Sequence, residues 1–197
     1  MNDSEIRINF HRKKLLKHHI DNDTLVVNEL GLNHGKCRAD IAVINGQLIG
    51  FEIKSDSDSL LRLKEQVKSY NEIFDKLYII VGSRYANTIH KHLPDWWGVI
   101  IADKGLRSAT RFALNRKAKM NQSINPVSLA RLLWRDEVVV ILKQRNISPR
   151  LLRQPRTILY EHLANILSLN ELRKTVRTYL KKRENWRCPE SLLLYDD

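Results

Sequence analysis

The apolar positions change their period several times along the first hundred residues, and each change marks an element. In DSEIRINFHRKKLLKHHI, Ile6, Phe10, Leu15 and Ile20 recur at loose helical spacing behind Asp3 or Ser4 as a cap, which predicts a first helix. TLVVNELGL and CRADIAVI are β-rich runs separated by the turn-like NHGK, and QLIGFEIK follows across NG, so three consecutive antiparallel strands are expected. DSLLRLKEQVKSYNEIFDK then sets Leu60, Leu63, Val67, Tyr70 and Phe74 at three- and four-residue steps, a helical stripe behind a Ser/Asp cap. LYIIVG reads as a short buried strand, RYANTIHKHL as a helix ended by Pro94, and WGVIIAD as a further strand. The predicted order is α, three β, α, β, α, β.

From Lys104 the texture changes. KGLRSATRFALNRKAKMNQSINP is basic and lacks a clear period, so residues 104–125 are expected to be a connector that orders partly on nucleic acid. Beyond it, VSLARLLWRDEVVVILKQR, RTILYEHLANIL and SLNELRKTVRTYLKKRENW predict three helices, the last opened by a capping box at Ser168 and Glu171. The chain is thereby divided into an α/β core over 1–103, the connector, and a small helical module over 126–197. Trp134 is expected in the core of that module, and Trp96 and Trp97 in the packing of a turn.

Composition narrows the class. The 197 residues suit one domain or a core with an appendage, and 43% hydrophobic residues can fill a core. No apolar run is long enough to span a membrane and the N-terminus lacks a secretory pattern, so a soluble cytoplasmic protein without a membrane partner is expected. Cys37 and Cys188 match no zinc spacing and are read as free thiols. Charge is uneven: residues 1–103 carry 14 Lys and Arg against 14 Asp and Glu, whereas 104–197 carry 20 against 8, so the whole net charge of +12 lies in the second half. That split suggests chemistry in the neutral part and polyanion binding in the basic one.

Within the predicted strands, charged residues stand where burial is expected. Glu52 and Lys54 share one face of QLIGFEIK, Asp40 stands among Ala39, Ile41, Ala42 and Val43, and Glu29 interrupts LVVNELGL. Three carboxylates and a lysine on adjacent strands suit phosphodiester hydrolysis. Asp40 and Glu52 are hard oxygen ligands for Mg²⁺ or Mn²⁺, and Lys54 can orient a water and offset charge building on phosphate. The structural alternative is an ion pair between Lys54 and a neighbouring acid. Asp56 and Asp58 could extend the acidic site, with helix capping ahead of the helix that follows accounting for at least one of them.

The string RAD at 38–40, followed twelve residues after Asp40 by EIK at 52–54, resembles the PD-(D/E)XK nuclease superfamily, and so does the αβββαβ order. QVKSY adds Gln66 and Tyr70 one helical turn apart, similar to the QxxxY element of RecB-like members. GFEIKSDSDSLLRLKEQVKSYN, with LPDWWGVI and LLWRDE downstream, resembles a bacterial and phage-borne family of nuclease-like proteins. The resemblance implies a restriction-endonuclease-like core with a mixed sheet, and a Mg²⁺-dependent nuclease acting on DNA, with RNA left open. It further implies that Asp40, Glu52 and the Ile53 carbonyl hold the metal, that Lys54 positions the water, and that Gln66 and Tyr70 approach the same site. It also implies a further glutamate, either Glu5 or, preferred for its place in NELGL, Glu29. Arg38, which reads equally as a phosphate clamp and as a structural pair partner, and the connector's Arg111, Arg116, Lys117 and Lys119 are the candidate nucleic-acid contacts, and a homodimer is compatible with the sequence. The alternative reading is a catalytically inactive nucleic-acid-binding protein on the same fold. A third, a helix-turn-helix-like regulator, has no recognition-helix pattern behind it.

The metal site makes a geometric demand. A regular two-residue hairpin at Asn45-Gly46 would place Asp40 and Glu52 on opposite faces. The site needs Ile44 opposite Leu48, which sets Asp40 opposite Glu52 at about 5 Å between Cβ atoms. Across NHGK, pairing Leu32 with Cys37 sets Glu29 opposite Asp40.

Overall fold

The computed structural model describes residues 1–105, 108–184 and 186. Six strands form one mixed sheet in chain order: β1 (Leu25–Leu32), β2 (Cys37–Ile44), β3 (Leu48–Lys54), β4 (Lys76–Gly82), β5 (Gly98–Lys104) and β6 (Thr110–Arg116). The β1–β2, β2–β3 and β5–β6 pairs are antiparallel, and β3–β4 and β4–β5 are parallel. Parallel strands need a crossover, and α3 (Leu63–Asn71) supplies it between β3 and β4.

Both faces of the sheet are covered, which explains why β4 reads as an unbroken apolar run. On one face α1 (Asp3–Lys14) brings Ile6 and Phe10 against Ile41, Val43, Phe51 and Ile53, with Leu15 joining them just ahead of α2 (Leu16–Ile20). On the other, α3 is joined by helices from the second half: α4 (Pro126–Ala130), α5 (Arg135–Lys143), α6 (Pro149–Leu152), α7 (Arg156–Ile166) and α8 (Leu169–Lys182). Leu129, Val138, Leu159, Leu172, Val176 and Leu180 lie in the same apolar cluster as Val27, Ala42, Leu77 and Ile79, so core and helical module share one interior. Asp75, buried just ahead of β4, clamps them together. Its Oδ2 accepts the Leu48 N–H at 2.8 Å, and its carboxylate pairs with Arg173 at 2.9 Å and Arg177 at 3.7 Å on α8.

The registers are the two expected from the sequence. Ile44 pairs with Leu48 around a three-residue connection in which the Gln47 N–H donates to Asn45 Oδ1 at 3.0 Å. Leu32 pairs with Cys37 around a turn whose residues Asn33, His34 and Gly35 all take positive φ, at 46°, 58° and 85°. The helix at Ser168 opens with the expected capping box to Glu171.

Several elements differ from expectation, each for a visible reason. Residues 110–116 are not an irregular connector but the edge strand β6; its exposed Arg111, Ala113, Leu114 and Asn115 hide the alternation, and charge on an edge blocks pairing with other chains. RYANTIHKHL forms only short 3₁₀ turns, Ser83–Tyr85 and Ile89–His92, because Asp56 Oδ1 takes the Arg84 N–H and the Tyr85 hydroxyl donates to the Asp58 carbonyl. VSLARLLWRDEVVVILKQR breaks into α4 and α5. Trp134 stands at the break, 60% exposed rather than in the core, with the Arg183 guanidinium 4.2 Å above its ring. Helix α3 starts at Leu63, and Asp58 caps no helix: its Oδ2 closes a turn on the Ser55 N–H and hydroxyl. At α1 the cap is Asn2, not Asp3 or Ser4. Trp97 is buried as expected and donates to Asn71 Oδ1 at 2.7 Å. Cys37 is a free thiol; Cys188 lies outside the described residues.

Candidate functional site: an acidic cleft at the end of the β2–β3 hairpin

The β2–β3 ladder ends at Ile41 and Phe51. Beyond that pair the Asp40 carboxylate takes the place of a backbone acceptor, its Oδ2 receiving the Ile53 N–H at 2.7 Å. The β1–β2 ladder skips the neighbouring position as well, since Glu29 adopts φ 56°. The register is the same on both sides of the gap, but the alternation reverses across it: Val27, Leu30 and Leu32 enter one cluster, as do Ala39, Ala42 and Ile44. A cleft of about 640 Å³ opens there. Asp40, Glu52, Ile53 and Lys54, with Glu29, Arg38 and Gln66, all line it, so these seven of the sequence-predicted residues meet at one place, whereas Tyr70 does not line the cleft and reaches it only through Glu52.

Glu52 is 1% exposed and held on every side. Its Oε1 accepts from Lys54 Nζ at 2.7 Å and Gln66 Nε2 at 2.5 Å, and its Oε2 lies 2.7 Å from the Tyr70 hydroxyl. That hydroxyl also lies 2.5 Å from the Arg38 carbonyl oxygen, and it has a single proton to donate to the two acceptors. Burial, and then the Asp40 charge, push the Glu52 carboxyl up to about 7 against the opposing pull of Lys54. Burial and Glu52 together drive the Tyr70 phenol far above its ordinary range, so it serves only as a neutral donor. Burial also raises the Cys37 thiol at the cleft wall.

Asp40 has a partner that sequence reasoning missed. Arg7 of α1 donates to Asp40 Oδ1 at 2.9 Å and to the Asp40 carbonyl at 2.7 Å, while also pairing with Asp3. The available signal was the Asp3–Arg7 pair at i,i+4 on the first helix. Glu5 instead faces Lys104 at 3.5 Å and does not line the cleft. Glu29 does, and pairs with the 59%-exposed Arg38 side chain at 3.3 Å. Of the connector residues, Arg111, Lys117 and Lys119 are exposed, and Arg116 turns inward to the Trp97 and Pro94 carbonyls; none of the four lines the cleft.

Asp40 and Glu52 give the cleft two carboxylates, and Mg²⁺ takes one or two carboxylates and keeps much of its water. Among the described residues no group of three or more Asp, Glu, His or Cys side chains is placed to hold a metal ion. Gln66 Oε1 is buried at the cleft with no partner among the described residues, and a metal-bound water is a donor of the kind it lacks. The donor set therefore fits a hydrated hard cation.

Fold and site together define a mixed α/β protein with a six-stranded sheet, helices on both faces, and a polar cleft where two strands part. The sequence model of the bacteriophage P4 protein cII family matches residues 2–188, and the chain belongs to that family. Protein cII of Enterobacteria phage P4 is 32% identical over 161 residues, covering 82% of this chain and 60% of that protein. The chain thus spans about three-fifths of that relative's length. Among solved structures, a protein of unknown function from Silicibacter pomeroyi is 20% identical with a TM-score of 0.41, covering 66% of this chain and 82% of its own. SfsA of Pyrococcus furiosus, solved with Ca²⁺, is 10% identical with a TM-score of 0.35, covering 57% and 64%. No helix among the described residues is long and apolar enough to cross a membrane.

Proposed function

We propose that this chain is a Mg²⁺-dependent nuclease that hydrolyses DNA phosphodiester bonds on a restriction-endonuclease-like core. The observation that carries the reading is the convergence of Asp40, Glu52, Lys54 and Gln66 on one cleft, through a hairpin register that an ordinary Asn-Gly turn would not give. Asp40, Glu52 and the Ile53 carbonyl are the residues to hold the metal, which when bound neutralises phosphate charge and acidifies a water. Gln66 and Tyr70 fix Glu52 in place, and Arg7 does the same for Asp40. Lys54, 7% exposed, keeps its ammonium at the cleft wall, where it orients the attacking water and donates to a phosphate oxygen. The exposed Arg38 at the rim is placed to meet the flanking backbone phosphate.

One observation favours a second reading, a nucleic-acid-binding protein without catalysis. Each oxygen of Asp40 and Glu52 already has a protein donor nearby, and Arg7 and Lys54 neutralise both charges. A panel of labelled linear, circular, branched and single-stranded substrates separates the two, with Mg²⁺, Mn²⁺ or EDTA. Cleavage that requires the cation supports the nuclease; binding with no cleavage on any substrate supports the alternative.

A further inference from the structure

A second groove lies against the cleft. Its volume is about 360 Å³, and the β1–β2 turn forms the wall between the two: Gly35 lines both, His34 the groove, and Asn33 and Lys36 the cleft. The groove is cationic and aromatic. Arg131 and Arg156 reach it without a side-chain hydrogen bond or ion pair among the described residues. Both press on His34, whose imidazole is held below its ordinary value by burial and then by these two charges. Two guanidiniums with no carboxylate between them leave an anion to be supplied from outside.

Trp134 forms the rim. Arg183 covers one face of its indole at 4.2 Å and is itself fixed by Glu137 at 2.8 and 2.6 Å and by the Leu132 carbonyl at 2.7 Å. The Trp134 backbone N–H is held by Glu137 Oε2 at 2.6 Å. A guanidinium can cover only one face of a ring, so a side chain that is 60% exposed presents the other to solvent as a rigid plate.

We propose that this groove binds a single strand of nucleic acid, with one base stacked on Trp134 and the neighbouring phosphates at Arg131 and Arg156. A duplex keeps its bases stacked on each other and has no free face to offer an indole, whereas an unpaired strand presents both a base and adjacent phosphates. An acidic peptide would satisfy the guanidiniums but leave the plate unused. The continuity through Gly35 further makes the groove the exit for an unpaired flank of the strand held in the acidic cleft; this clause rests on the nuclease reading, and the binding claim does not.

The test uses the full chain in EDTA, where no cleavage occurs, with a fluorescent oligothymidylate followed by anisotropy. Trp134→Ala is expected to weaken binding by about 5- to 100-fold, and Trp134→Phe to recover most of it. The double variant Arg131→Ala/Arg156→Ala should flatten the plot of log affinity against log salt by about 1.4, roughly 0.7 for each single-strand phosphate that is no longer neutralised. Lys91→Ala, which lines neither groove nor cleft, should stay at wild-type affinity. Groove variants that bind like wild type overturn the proposal, as does a duplex or an oligoglutamate that binds as tightly as the single strand. Groove-dependent binding together with no cleavage of any substrate in Mg²⁺ supports the groove and overturns the nuclease reading alone.

Discussion

Replacing Asp75 with Ala should unfold this protein more readily than removing any carboxylate on its surface. The side chain is 4% exposed and performs two tasks. Its Oδ2 satisfies the Leu48 N–H, a buried donor whose loss of partner costs about 1–3 kcal/mol. It also neutralises Arg173 and Arg177, which are 20% and 19% exposed. Breaking a fully buried pair costs about 3–5 kcal/mol, but water that reaches these guanidiniums reduces that to about 1–2 kcal/mol. The combined loss is about 2–5 kcal/mol, a large fraction of the roughly 5–15 kcal/mol that holds a domain folded, and it lowers Tm by about 4–20 °C. Urea unfolding followed by circular dichroism gives the loss directly. A double-variant cycle with Arg173→Ala isolates the pair, with a coupling of about 1–2 kcal/mol expected. An Asp75→Ala protein within about 0.5 kcal/mol of wild type, the level of an ordinary surface change, would refute the clamp between sheet and helical module.

Three further outcomes follow from the structure. A chain ending at Asp103 loses β6 and every helix of the second half that covers Val27, Ala42 and Ile79, so it should show no cooperative thermal transition; a folded fragment would contradict the shared interior. Tyr70→Phe removes the one hydroxyl proton that Glu52 Oε2 and the Arg38 carbonyl share and should cost about 1–3 kcal/mol in urea unfolding, while a neutral result would mean that this contact holds nothing. Stability should also fall in acid through His11. Burial lowers this imidazole to about 4, with help from the His19 and Arg7 charges and against its bond to Asn28. Above pH ~6.5 neither state is protonated and nothing changes; between about 6.5 and 4 the unfolded chain takes up the proton and the folded one does not, which removes at most about 3 kcal/mol. His11→Gln should flatten that slope in urea midpoints taken across the range, and an unchanged slope would place the acid sensitivity elsewhere.

What the sequence made legible was whatever depends on local period and on register. Three antiparallel strands, the crossover helix, the capping box at Ser168 and the extra residue in the β2–β3 connection follow from alternation, turn chemistry and the need to bring Asp40 beside Glu52. Long-range and edge features stayed hidden. The only local mark of Arg7 is its i,i+4 pairing with Asp3, because its role at the cleft is set by a carboxylate 33 residues away. Strand β6 escaped because an edge strand with one wet face mixes Arg and Asn among its apolar residues. Trp134 looked like core because LLWRDEVVV continues an apolar period that the chain breaks, and Arg183, which covers the ring, lies far downstream. The excess positive charge of the second half read as a polyanion surface, yet Arg173, Arg177, Lys181 and Arg183 are committed to Asp75, Asp23 and Glu137.

The central claim concerns the acidic cleft, and Glu52→Gln tests it most directly because amide and carboxylate have nearly the same shape. DNA cleavage is measured in Mg²⁺ under single-turnover conditions, beside DNA binding in EDTA and the unfolding midpoint of the same preparation. Cleavage by the wild type that falls by at least about 100-fold in the variant, with binding intact, is the predicted result, since most affinity comes from phosphate contacts elsewhere. Cleavage by Glu52→Gln at the wild-type rate would contradict the account and move the chemistry away from this cleft.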